Sequence, residues 1–131
     1  MAYRETLKAN LDVALANSNV SVSAELPWDS AGEPLYAKNM KKLYLDKDNI
    51  LREPLVFTLD YHPVNSVITT VTGYLTIDAK NPIGDIDTIT DKIINSRNSV
   101  ANILIKSCDM TTSFNADQLT YQFDFTFTTI A

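Results

Sequence analysis

From Leu119 to Ile130, hydrophobic and polar side chains alternate almost without interruption. Tyr121, Phe123, Phe125 and Phe127 fall on one side; Gln122, Asp124, Thr126 and Thr128 fall on the other. Successive side chains of a strand point to opposite faces, so a strand sorts this segment into one apolar and one wet surface. A helix would spread the same residues around its circumference. The last strand is therefore predicted to be a principal core element.

The same reading runs back along the chain. Tyr3, Leu7, Leu11, Ala14 and Leu15 recur at helical spacing, with Arg4, Glu5, Lys8 and Asp12 elsewhere, which predicts an amphipathic helix over 3–16. Asn17-Ser18-Asn19 is its expected stop. Val20, Val22, Ala24 and Leu26 alternate with Ser21, Ser23 and Glu25, predicting a short strand. Pro27 to Pro34 reads as a loop, and Lys41 to Leu45 as another strand. Asp46 to Pro54 reads as a charged excursion. Leu55–Tyr61 and Ser66–Asp78 are predicted strands joined by His62-Pro63-Val64-Asn65, with Gly73 marking a bulge or a close backbone approach. Asp85 is the expected N-cap of a second helix carrying Ile86, Ile89, Ile93, Ile94, Arg97 and Val100 on its inner side and ending near Asn98. A strand from Ala101 to about Thr112 follows, and Phe114-Asn115-Ala116-Asp117 turns it into the aromatic final strand. The order predicts an α+β fold, a mainly antiparallel β-sheet with two α-helices packed on one face. The other face, rich in Thr and carboxamides, is expected to be solvated or matched to a neighbour.

Composition narrows the function classes. The 131 residues suit a single domain, residues 1–131, with 45% hydrophobic and 21% charged residues, an ordinary balance for a globular protein. No apolar run is long enough for a membrane span, and the start of the chain lacks a secretory pattern. One cysteine, Cys108, allows no internal disulfide, which fits a reducing compartment. A net charge of −5 argues against gripping nucleic acid, although it suits DNA that must slide past without sticking.

Catalytic chemistry finds little footing. His62 is the single histidine, and Cys108 has no histidine near it in sequence. Asp46, Asp48 and Asn49 resemble the opening of a calcium loop, but Leu51 stands where glycine is needed and Phe57 where a carboxylate should close the shell. Asp78, Asp85 and Asp87 suggest a carboxylate set, for which helix capping is the simpler account. Three glycines cannot build a phosphate-cradling loop. The expectation is a non-enzyme with no catalytic, cofactor-binding or metal-binding residues. Trp28 is either folded back over the core or an exposed interface anchor. Lys38, Lys41 and Lys42 form the basic cluster. The residues expected at interfaces are Trp28, Asp29, Tyr36, Lys38, Lys41, Lys42, Asp46, Asp48 and Arg52, drawn from the loop 27–36, that basic cluster and the excursion 46–54.

The whole-chain order resembles the tail terminator proteins of long-tailed bacteriophages. The stretches that carry the resemblance are Tyr3–Ala16, the strand pair Leu55–Asp78, the helix Asp85–Arg97, and Asp117-Gln-Leu-Thr-Tyr-Gln-Phe-Asp-Phe-Thr-Phe-Thr. The resemblance implies a structural virion protein assembled in the host cytoplasm. Its homohexameric ring would cap the tail tube protein, meet a head-side connector or neck protein, and leave a channel for DNA. It implies no catalytic residue. Alternatives are another neck or tail-tube subunit, an oligomeric adaptor or binding module not from a phage, and a small-ligand protein or enzyme.

Overall fold

A computed structural model describes residues 3–16, 20–24, 27–36, 41–57, 63–80, 86–101, 103, 105–115 and 117–130. The sheet is organised around its two longest strands, β4 (Pro63–Asp78) and β6 (Gln118–Ile130), which pair antiparallel in unbroken register from Ser66↔Ile130 to Asp78↔Gln118. β5 (Ile105–Asn115) forms a hairpin with β6 in which Asn115 stands opposite Gln118. On the far side of β4 lie β2 (Lys42–Leu45) and β3 (Asn49–Phe57), and β1 (Ser21–Ser23) runs parallel to β2. The order is β1-β2-β4-β6-β5, with β3 paired to the other half of β4. Two helices, α1 (Tyr3–Ala14) and α2 (Ile86–Asn95), complete the α+β fold, and α2 tightens into a 3-10 turn over Ser96–Ser99.

The alternation sorts as its chemistry requires. Phe123, Phe125 and Phe127 of β6 are fully buried with Val71, Leu75 and Ile77 of β4 and Leu43 and Leu45 of β2. Against them pack Tyr3, Leu7, Leu11 and Leu15 from the first helical segment and Ile89, Ile93 and Val100 from the second. The Tyr3 ring lies 5.1 Å from that of Phe127. Each fully buried Leu, Ile or Phe contributes roughly 1.5–3 kcal/mol, so this single cluster holds the two layers together.

Several boundaries differ from the sequence reading. The charged excursion at 46–54 is not a loop: its second half is β3. β2 and β3 together are one long strand interrupted at Asp46–Asp48. Leu45 pairs with Gly73 and Asn49 with Thr70, which leaves three residues opposite two, a one-residue bulge. The Asp46 N–H donates to the Thr72 carbonyl at 2.8 Å, so pairing persists into the bulge. Arg52, Glu53 and Pro54 read as loop residues because charge and proline disfavour central strands, but an edge strand accepts both. A second register shift lies between Pro54 and Val56. β4 starts at Pro63, inside the predicted connection, while β5 starts at Ile105 and runs on through Asn115. Ala14 ends α1, with Leu15 and Ala16 in the following turn. Gly73 is a close approach: a Cβ there would lie 3.2 Å from Leu45 Cδ2 and 3.3 Å from Leu43 Cδ1.

Candidate functional site

The helices cover one side of the sheet, and the register defines what the other presents. Antiparallel partners share a face, so Thr70, Thr72, Tyr74, Thr76 and Asp78 of β4 lie beside Thr126, Asp124, Gln122, Thr120 and Gln118 of β6. Beyond them on β5 stand Ser107, Asp109, Thr111, Ser113 and Asn115. Local hydrogen bonds tie these short polar side chains together. The Thr72 hydroxyl donates to Asp124 Oδ1 at 3.1 Å, the Gln122 amide donates to the same oxygen at 3.2 Å, and the Thr76 and Thr120 hydroxyls are 3.0 Å apart. Asp109 stands directly opposite Asp124, so two carboxylates meet at the centre of the face. Like charges so placed are mildly destabilising, which gives this face an anionic centre.

The loop 27–36 folds over one corner of that face. Asp29 pins it: its Oδ1 accepts from the Ala31 and Glu33 N–H groups at 2.9 Å each, while its backbone bonds to Glu33 and Gly32. Gly32, at φ 82°, supplies the left-handed turn. The Leu35 N–H donates to the Pro27 carbonyl at 2.7 Å, and Trp28 forms a bridge with Pro34. This geometry delivers two rings to Tyr74. Tyr36 stacks on it at 4.6 Å and 11°, and Trp28 meets it edge-on at 5.3 Å. Burial, then the charge of Asp46, pushes the Tyr74 phenol above its ordinary value. Tyr44, in register with Tyr74, is buried, and the Lys42 ammonium sits 5.2 Å from its ring centre.

No protein-family model and no curated protein matches this chain.

The residues singled out from the sequence thus fall into separate places. Trp28, Asp29 and Tyr36 form the aromatic corner, where the Trp28 ring lies edge-on to Tyr36 and Tyr74 on the face away from the hydrophobic core and remains 37% exposed. Lys41 and Lys42 lie at the start of β2. Lys41 adopts φ 64°, with its N–H donating to the Thr76 carbonyl at 2.9 Å and its own carbonyl accepting from Ser21 at 3.2 Å. Lys38, His62 and Asp85 lie outside the described residues. Asp46 occupies the bulge, where its carboxylate accepts from the Lys47 N–H at 2.8 Å. Asp48 does something the sequence did not suggest. Its Oδ2 and Oδ1 accept from the Tyr3 and Arg4 N–H groups at 2.9 and 3.2 Å, so it caps α1 from the middle of the sheet edge. Arg52 is exposed on β3.

Among the described residues, no group of three or more His, Cys, Asp or Glu side chains is arranged to hold a metal ion. Nor is any helix among them long and apolar enough to cross a membrane. Cys108 is half-buried on the helix side of β5, and burial pushes its thiol up to about 12, the opposite of an activated nucleophile. Asp109, Tyr74 and Thr72 escaped the sequence reading as a group. Their juxtaposition depends on strand register, which no local pattern encodes.

Proposed function

We propose that this chain is a structural virion subunit, a tail terminator whose copies close into a homohexameric ring at the end of a phage tail tube. The sheet's open side faces the ring axis and the helices face outward. One side of the ring meets the tail tube protein, and the other meets a head-side connector or neck protein. The observation that carries the reading is the chemistry of the open face. Across Ile68–Asp78 of β4 and the facing residues of β6 and β5 it bears the carboxylates of Asp78, Asp109 and Asp124 and no lysine or arginine, while Lys42 stands at the β2 margin of the same face, over Tyr44. A polyanion that must pass through without being held needs such a wall, because phosphate binding depends on cations that neutralise it. The helix, strands, helix and closing hairpin follow the order that the resemblance to tail terminators implies.

The test is native mass spectrometry of the purified chain, alone and with the tube protein encoded by the same genome, with electron micrographs of the mixture. Six-subunit rings, free or seated on tube ends, are the expected result. A chain that stays monomeric under both conditions and decorates no tube end overturns the proposal.

A further inference from the structure

The sheet has two open sides, and the chain's exposed apolar residues gather on them. Among the described residues seven large hydrophobic side chains are exposed, and five of these, Ile50, Leu51, Ile105, Met110 and Phe114, belong to β3 and β5. Each of these strands pairs on one side alone among the described residues, β3 with β4 and β5 with β6. β1 covers the edge of β2 but runs for three residues, so among the described residues the β3 half of that side stays open. Soluble proteins usually guard such edges with charge, proline or a covering element. β5 is unguarded from Met110 to Asn115, which includes no charge and no proline, and β3 is unguarded from Asn49 to Leu51. Two complementary edges, nine and eleven residues long, therefore sit on opposite sides of one sheet.

We infer that the β5 edge of one copy pairs antiparallel with the β3 edge of the next, so that a second copy of this chain covers each edge. The inference rests on the ring reading above and names the contact that builds the ring. Strand directions allow it: β5 runs parallel to β4 and β3 runs antiparallel to β4, so copies related by rotation bring opposed strands together. The alternative, β5 against β5 about a two-fold axis, ends at a dimer and leaves Ile50 and Leu51 bare. A head-to-tail contact covers both edges at once and propagates until it closes. Bringing Met110 beside Ile50 requires a stagger, because Met110 is level with Gly73 and Ile50 with Thr69, four residues along β4. Repeated across the four strands β3-β4-β6-β5, that stagger tilts the strands by about 35°, in the range of closed barrels.

Paired cysteines test the contact. In a Cys108→Ala background, Met110→Cys and Ile50→Cys lie on opposite edges of one sheet, too far apart to bond within a chain. Mild oxidation of this double variant is expected to give a ladder of covalent multimers on a denaturing gel, while Met110→Cys alone stays single. Met110→Lys, at an exposed site, is expected to raise the dissociation constant for self-association by ~10-fold or more with the far-ultraviolet circular dichroism unchanged. Cross-linking of Met110→Cys alone into dimers overturns the inference in favour of two-fold pairing. An uncross-linked double variant whose mass still shows rings overturns the edge contact and spares the ring. An uncross-linked monomer overturns both.

Discussion

Removing the Asp48 carboxylate measures how firmly the first helix is held to the sheet edge. The first N–H groups of a helix have no partner within it, and here two are satisfied by a side chain more than forty residues away. An ordinary N-cap is worth ~0.5–2 kcal/mol and a negative charge at a helix start ~0.3–1 kcal/mol, so Asp48→Ala is expected to cost about 2 kcal/mol. For a domain of this size that corresponds to a fall in Tm of about 8 °C. Asp48→Asn keeps an acceptor and loses the charge, and should cost about half as much. The assay is urea unfolding followed by circular dichroism and by Trp28 fluorescence, with the slope m held common among the variants. Asp46→Ala is the internal control, because its carboxylate bonds to the adjacent Lys47 N–H within the bulge. The reasoning fails if Asp48→Ala costs less than ~0.5 kcal/mol or no more than Asp46→Ala.

Other substitutions probe the packing and the titrating groups. Gly73→Ala places a methyl 3.2–3.3 Å from the tips of Leu45 and Leu43, which must shift, and a loss of about 1 kcal/mol in urea unfolding is expected. Trp28→Ala uncovers Tyr74, so its phenol should ionise at lower pH in an ultraviolet titration than in the parent protein. The Cys108 thiol, ordinarily near 9.0, is raised to about 12, so the folded protein holds this proton more tightly than the unfolded chain. Stability from this group is complete below about pH 9 and is lost as pH rises toward 12. Cys108→Ala should flatten the alkaline limb of a stability profile, and the native thiol should alkylate far more slowly at pH 8 than the thiol of urea-unfolded protein. The Ser99 hydroxyl is buried with no hydrogen-bond partner, so Ser99→Ala is expected to leave Tm unchanged or raise it.

The last strand was legible because its alternation is strict and its buried side is aromatic: Phe123, Phe125 and Phe127 are all at the core. Both helices were legible by the same logic at a different period, with Leu7 and Leu11 inward and Asp87, Asp91 and Lys92 outward. The stretch from Asp46 to Pro54 misled because local propensity penalises charge and proline without knowing that the strand is an edge. The candidate surface was half legible. The polar side of β6 could be read from its pattern, but the pairing of Asp109 with Asp124 and the stacking of Tyr36 on Tyr74 are products of register and loop closure. Asp48 shows the limit most clearly, since nothing near it in sequence announces a helix that begins at Tyr3.

The single extra residue between Leu45 and Asn49 sets a parity. Up to Leu45 the odd-numbered positions point toward the helices; beyond the bulge Ile50 and Arg52 do. Were the same residues to pair without the bulge, β3 would slide by one position along β4 and invert. Leu51 would then turn toward the helical layer and Ile50 away from it. The lateral border of the molecule would present a different set of side chains to whatever lies beside it, with no substitution anywhere in the strand.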